Sequence, residues 1–280
     1  MPALQHPQGG PDGPRDRPRP SPPAGGAPGA DLGHRGRGLG SSSLGAVPAA
    51  PGDGAVGLNG RWVVDRCLLT AAEAHGPGWP AEALASVRVV EATGPALVLG
   101  STQGDDVVDH AAARAAGVAV VRRRSGGGAV LVGPGEVLWV DVFVPAADPR
   151  WQRDVGRATH WVGRTWSEAL GALGVTTTWH DGPLVATRWS SQVCFAGLAP
   201  GEVQVRGAKV VGISQRRTRE GATLQCAALL RWEPERVVGL LALDPADRAA
   251  AAPALAASAR PVGVAPDDLE SAFLHRLVVL

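Results

Sequence analysis

Arg122-Arg123-Arg124-Ser125-Gly126-Gly127-Gly128-Ala129-Val130 joins three guanidiniums to three glycines directly after the apolar run Val118-Ala119-Val120-Val121. Glycines in such a turn let backbone N–H groups approach an anion, and flanking arginines add positive charge, so the segment suits a phosphate or a carboxylate. A plain Gly-rich hairpin turn would look similar. A second stretch carries chemistry about 80 residues on: Gly207-Ala208-Lys209-Val210-Val211-Gly212-Ile213-Ser214-Gln215. It contains the chain's one lysine, the other 26 of its 27 basic residues being arginine. A lysine presents a compact charge on a flexible stem that a planar guanidinium does not reproduce.

Between the two lies Cys194, followed by Phe195 and the turn sequence Ala199-Pro200-Gly201-Glu202. If that turn closes a tight hairpin, Cys194 faces Gly207, and Lys209 becomes its diagonal neighbour on one face, roughly 7 to 8 Å away between backbones. A free thiol titrates near about 8.5, and a nearby ammonium favours the nucleophilic thiolate. Cys194 and Lys209 are therefore candidates for covalent acyl transfer, although an isolated cysteine is often just a small buried hydrophobe. Cys226 lies inside the apolar run Thr223 to Leu230 and is expected to be such a core thiol.

The rest of the chain bounds the class. Of 280 residues 45% are hydrophobic, enough for a sizeable core, and the net charge of +1 gives no electrostatic case for nucleic acid or membrane partners. Cys67, Cys194 and Cys226 lie too far apart for a disulfide framework or a zinc site, so no metal and a reducing, cytoplasmic compartment are expected. No signal peptide or membrane-spanning apolar run is visible. Residues 1–56 hold 13 Gly and 11 Pro and none of the nine tryptophans, which predicts a disordered tail. Within it, Gly33 to Gly38 lacks the strand and helix that a phosphate loop requires. The folded part is expected over 57–280, with residues 233–280 a C-terminal helical segment.

Periodicity predicts an amphipathic helix from Asn59 to His75, a strand at Ala96–Gly100, a helix over 108–116 and strands at 118–121, 129–132 and 137–144. The 129–132 and 137–144 strands are joined through Gly133-Pro134-Gly135. A helix is expected from about Arg153 to Leu173, then strands at 203–205, 209–215 and 223–230. An Ala-rich irregular middle and a helix over about 267–277 complete the chain. Several connections are too short for parallel crossovers, which implies an α+β fold with a central mixed, mostly antiparallel sheet flanked by helices.

Taken together and in this order, the two stretches resemble the Arg-Arg-x-Ser-Gly-Gly-Gly-Ala-Val and Gly-x-Lys-x-x-Gly-x-x-Gln motifs of the biotin/lipoate protein ligase superfamily, in its lipoate ligase and octanoyltransferase branches. The resemblance covers roughly residues 58 to 232. It implies a tunnel for a lipoyl or octanoyl chain, lined by Arg123, Ser125, Gly126, Gly127, Gly128, Ala129, Gly212 and Ser214, with Lys209 near the acyl carbonyl. Cys194-Phe195 set fifteen residues before Lys209 is similar to the cysteine-dependent octanoyltransferases, in which the cysteine forms an acyl thioester. That likeness implies octanoyl–acyl carrier protein as donor, a lysine of a lipoyl domain (glycine cleavage H protein or a 2-oxoacid dehydrogenase E2) as acceptor, and no cofactor. The alternative it leaves is an ATP- and Mg-dependent ligase acting on free lipoate through an acyl-adenylate. Such ligases carry Asn-Asp in this region, which is not evident here. A further alternative is an inactive acyl-binding homologue, because the family's histidine after the triple-glycine strand is replaced by Val132. A second family histidine, beyond the lysine strand, is replaced at Gln225-Cys226. Arg216, Arg217 and Arg219 form a basic cluster suited to an acidic carrier.

Overall fold

The computed structural model describes residues 62–80 and 84–279, so the expected tail at 1–56 lies outside the described residues. Seven strands form the principal sheet: β1 (Val63–Leu69), β2 (Ser86–Ala92), β6 (Val137–Pro145), β10 (Gly221–Leu229), β9 (Ala208–Arg217), β8 (Val203–Val205) and β7 (Thr178–Trp179), in that spatial order. Only β1 and β2 run parallel; every other neighbouring pair is antiparallel. A second sheet has the order β4 (Ala119–Arg122), β3 (Ala96–Leu99), β5 (Val130–Val132).

One face of the large sheet carries Val87, Val89, Val140, Val142, Leu224 and Val211 into the main core. Helices α3 (His160–Ala172) and α6 (Pro266–Val279) cover it, with Trp166 stacked on Phe273 at 4.0 Å between centroids. On the opposite face Val90, Trp139 and Leu229 pack with Ala96, Val98 and Val132 of the small sheet. The candidate site residues Cys194 and Phe195 pack on this second face, between the sheets. No helix among the described residues is long and apolar enough to cross a membrane.

Several expectations need correction. Residues 63–69 form a strand rather than a helix, because the β-branched pair Val63-Val64 finds β2 as a partner and buries Val64 at period two. The helix there shrinks to α1 (Ala71–Ala74), started by Thr70 and Glu73 in a capping box. Strand β2 itself was masked in the sequence by Arg88, a charge inside an apolar run; it is buried because Asp141 accepts from it at 2.6 Å. The strands either side of Gly133-Pro134-Gly135 do not pair with each other but enter different sheets. The long helix begins as a 3-10 turn at Arg157–Thr159 rather than at Arg153. The Ala-rich middle is not irregular: it forms α5 (Pro245–Ser258), capped by the Asp244 side chain accepting from Asp247 N. α4 (Pro234–Gly239) precedes it, and α2 (His110–Ala115) falls within the helix expected over 108–116.

Candidate active site

A β-bulge in β9 arranges the site. Val203 pairs with Val211 while Gln204 pairs with Lys209, which leaves Val210 as the extra residue. Val210 and Val211 are both fully buried in the main core, so the side-chain alternation restarts after the bulge. Lys209 and Gly212 thereby share the other face, the Lys209 Cε lying 3.5 Å from where a Gly212 Cβ would be. Ser214 follows on that face, and its partner on β10 is Gln225. Cys226, one residue on, points the opposite way into the core, where burial pushes its thiol up to about 12. It is not available as a nucleophile.

The expected hairpin geometry for Cys194 needs revision. The turn at 199–202 is present, with Glu202 N donating to Ala199 O at 3.2 Å. Cys194, however, sits in a 3-10 turn, Cys194–Ala196, not on a paired strand. Lys209 Nζ meets the Cys194 carbonyl oxygen at 2.6 Å, the Gly197 carbonyl at 3.0 Å and Glu202 Oε2 at 2.7 Å. These three acceptors match the three N–H bonds of an ammonium. Lys209 and Glu202 are each only 2% exposed. The second Glu202 oxygen accepts from Ile213 N at 3.1 Å, so the carboxylate joins the Lys209 ammonium to β9. A buried charge without such a partner would be costly; the signal that could have found Glu202 is an acid seven residues before the chain's one lysine. The 194–196 turn is also held from α5, Ser258 Oγ donating to Phe195 O at 3.0 Å.

The triple-glycine segment meets this turn directly. Cys194 N donates to Ala129 O and Ala129 N to Gln192 O, both at 2.8 Å. A Cβ on Gly128 would lie 2.6 Å from the Val193 carbonyl carbon, so only glycine permits the approach. Gly127 has φ +98, a left-handed conformation that suits glycine. The amides of Gly126, Gly127 and Gly128 have no hydrogen-bond partner among the described residues. Arg123 is buried, and its guanidinium donates to the carbonyls of Val98, Gly126 and Gly128. It shapes the loop from inside. Arg122 ties the same segment to Gly100 and Asp105.

Two cavities meet at Cys194. The first, with a cavity volume of about 40 Å³, is bounded by Val130, Val132, Trp139, Phe195, Gly212, Ile213 and Ala227, with His75, Arg123, Ser214 and Gln225 as polar groups. Its mostly apolar walls, with a few polar groups among them, suit an apolar chain. The second, about 540 Å³, takes in Gly126, Gly127, Gly128, Ser190, Ser191, Glu202, Lys209 and Gln215. Cys194, Ile213 and Ser214 border both. Of the candidate site residues, Ser125 and Ala129 stand behind this wall. Ser125 contacts Ser214 Oγ at 3.0 Å and donates to Gln225 Oε1 at 2.7 Å.

His75 and Gln225 were not among the candidates. Gln225 Nε2 lies 3.2 Å from His75 Nδ1, and the imidazole stacks on Trp139 at 4.8 Å. Burial, helped by the Arg123 and Arg88 charges, lowers His75 to about 4, so the ring is neutral at pH 7. Asp141, fully buried, accepts from Arg88, Trp139 and Gln225; burial pushes its carboxyl up and those three donors pull it back. His75 left no signal in sequence because it sits at the end of a misread helix. His160 packs at a tilt against Trp179 in a separate surface pocket. Arg217 from the basic cluster stacks on Trp151 and donates to Gln152 O and Arg153 O, which makes it a loop clamp.

Comparison with known families matches the lipoyl protein ligase A/B catalytic domain over residues 64–261, more than two thirds of the chain. The chain therefore belongs to the lipoyl protein ligase A/B catalytic domain family, and it is an enzyme of the ligase or acyltransferase class. Among solved structures it is similar to a bipartite lipoate protein ligase from Thermoplasma acidophilum, studied with its E2 lipoyl domain (TM-score 0.59, 16% identity, 75% of this chain and 81% of that one). It is also similar to a lipoate-protein ligase A bound with ATP (TM-score 0.56, 16% identity, 78% and 83%). A third, from T. acidophilum and holding lipoic acid, gives a TM-score of 0.53 at 16% identity (69% and 71%). At these identities the likeness concerns the fold. No curated protein matches.

Proposed function

We propose that this lipoylation enzyme transfers an octanoyl or lipoyl group from an acyl carrier to a lysine of a lipoyl domain through a thioester on Cys194. The observation that carries the reading is the position of Cys194, at the junction of an apolar cavity and a wider one lined by three glycines whose amides have no partner among the described residues. The Cys194 thiolate attacks the carbonyl carbon of the carrier thioester, the developing oxyanion faces the Gly126–Gly128 amides, and the carrier thiolate leaves with the proton the cysteine gave up. The acceptor's neutral ε-amine then attacks the acyl-cysteine. An amide forms and the thiol is regenerated with the amine's proton. Lys209 acts through position: its ammonium clamps the 194 and 197 carbonyls and thereby fixes the thiol.

The same amides suit an acyl-adenylate phosphate, so the competing function is ATP-dependent ligation from free lipoate. Against it, the charged groups lining the wider cavity among the described residues are Lys209 and Glu202, which neutralise each other. A phosphate there would meet no spare cation among these residues. Lipoylation of an acceptor domain by the parent and by Cys194→Ser, with octanoyl carrier or with free lipoate and ATP, separates the two. The proposed route requires carrier and cysteine; the competing one requires ATP and survives loss of the thiol.

A further inference from the structure

A straight row of polar residues crosses the large sheet on the site face: Arg88, Asp141, Gln225 and Ser214 occupy successive strands in register. The next row, about 7 Å along the strands, is apolar, with Trp139, Ala227 and Gly212. Lys209 lies beyond that apolar row, at the other end of the floor. An acyl group with its carbonyl at Cys194 would thus run over Gly212, Ala227 and Trp139 toward the polar row, where His75 stands.

The hydrogen bonds in that row have a fixed sense. Gln225 Oε1 accepts from Ser125, so the Gln225 amide nitrogen is the donor to His75 Nδ1, and it also serves Asp141. Nδ1 is therefore the acceptor of a neutral ring, and the proton resides on Nε2. That N–H has no partner among the described residues. A saturated methyl end placed against it would shield this donor from water without pairing it, which disfavours binding. A tail carrying sulfur would give it a weak acceptor, and sulfur also gains against the ring face or edge of the neighbouring Trp139.

We infer that His75, oriented by Gln225 and stacked on Trp139, is a specificity-determining residue that favours a dithiolane-bearing lipoyl tail over a plain octanoyl tail. The inference rests on the acyl-cavity reading above. It is tested by offering equal amounts of octanoyl- and lipoyl-loaded carrier and resolving the two products on the acceptor domain by mass. The parent should favour lipoyl by about three- to tenfold, the scale of one sulfur–aromatic contact with a weak hydrogen bond. His75→Phe should bring the ratio to about one, and His75→Asn, which keeps a donor, should retain part of the preference. A merely structural role would lower both products together and leave the ratio unmoved. That result, or a parent with no lipoyl preference, overturns the inference. If the parent transfers neither group, the transferase reading fails instead. Calorimetric binding of free lipoate and octanoate to the same three proteins then decides the role of His75 by the same ratio.

Discussion

At the scale of single residues, the Lys209–Glu202 pair explains why one ammonium persists in an otherwise lysine-free chain. Both groups are buried at 2.7 Å, and the Lys209 N–H bonds are divided between a carboxylate and two carbonyls. Lys209→Met leaves Glu202 buried without its cation and should cost about 3–5 kcal/mol in urea unfolding, as for other broken buried pairs. The double variant Lys209→Met/Glu202→Gln, which removes the charge but keeps an acceptor for Ile213 N, should recover part of that loss; no recovery would show that the orphaned charge is not its cause. His75 supplies a pH signature. Its folded value of about 4 lies below the ordinary 6.5, so between these values the unfolded chain binds a proton that the folded one does not. Stability should therefore fall by up to about 3 kcal/mol as the pH is lowered from 6.5 to 4, and His75→Gln should remove that slope. The lysine stood out by composition alone. Its partner did not, because burial and pairing are tertiary facts with no local pattern.

At the scale of elements, the bulge at Val210 and the glycine loop decide where the site forms. Val210 and Val211 are consecutive apolar residues in a strand, and sequence alone does not say which of them breaks the alternation. The structure answers through the shared burial of both. The strands of the two motifs were legible because their runs are β-branched and bounded by glycine. The first strand was not: Trp62, Cys67, Leu68 and Ala71 fit a helical period, and only pairing with β2 overrides it. Cys194 was found by type and spacing, but its geometry was misjudged, because a 3-10 turn held by Ala129 and Ser258 replaces the expected hairpin. Gly128→Ala tests the loop. Its Cβ would meet the Val193 and Cys194 backbone at 2.6–2.8 Å, so the thiol must shift. Acyl transfer should fall by about 10²-fold, as a misplacement of about 1 Å can produce, with far-UV circular dichroism unchanged. Parent-like turnover would detach the loop from the chemistry.

At the scale of the whole molecule, the apolar cavity exists because a small sheet lies over one face of a large one, while α3 and α6 close the other. Helix α6 lies beyond residues 64–261, the region matched by the family, yet Leu269, Phe273 and Leu277 reach the main core. Phe273→Ala should cost about 3–5 kcal/mol in chemical unfolding, as for other large buried aromatics. A change below 1 kcal/mol would mean the helix is dispensable. The α+β class followed from short connections and apolar runs, but the division into two sheets did not, since nothing local distinguishes Val130–Val132 from the strand that follows it. The central claim is that Cys194 carries the acyl group. Intact-mass measurement of the protein after mixing with octanoyl-loaded carrier protein tests it most directly. The account predicts a gain of one octanoyl group, released by thiol or by acceptor domain and absent from Cys194→Ser. No gain in the parent, together with ATP-dependent lipoylation by Cys194→Ser, would contradict it.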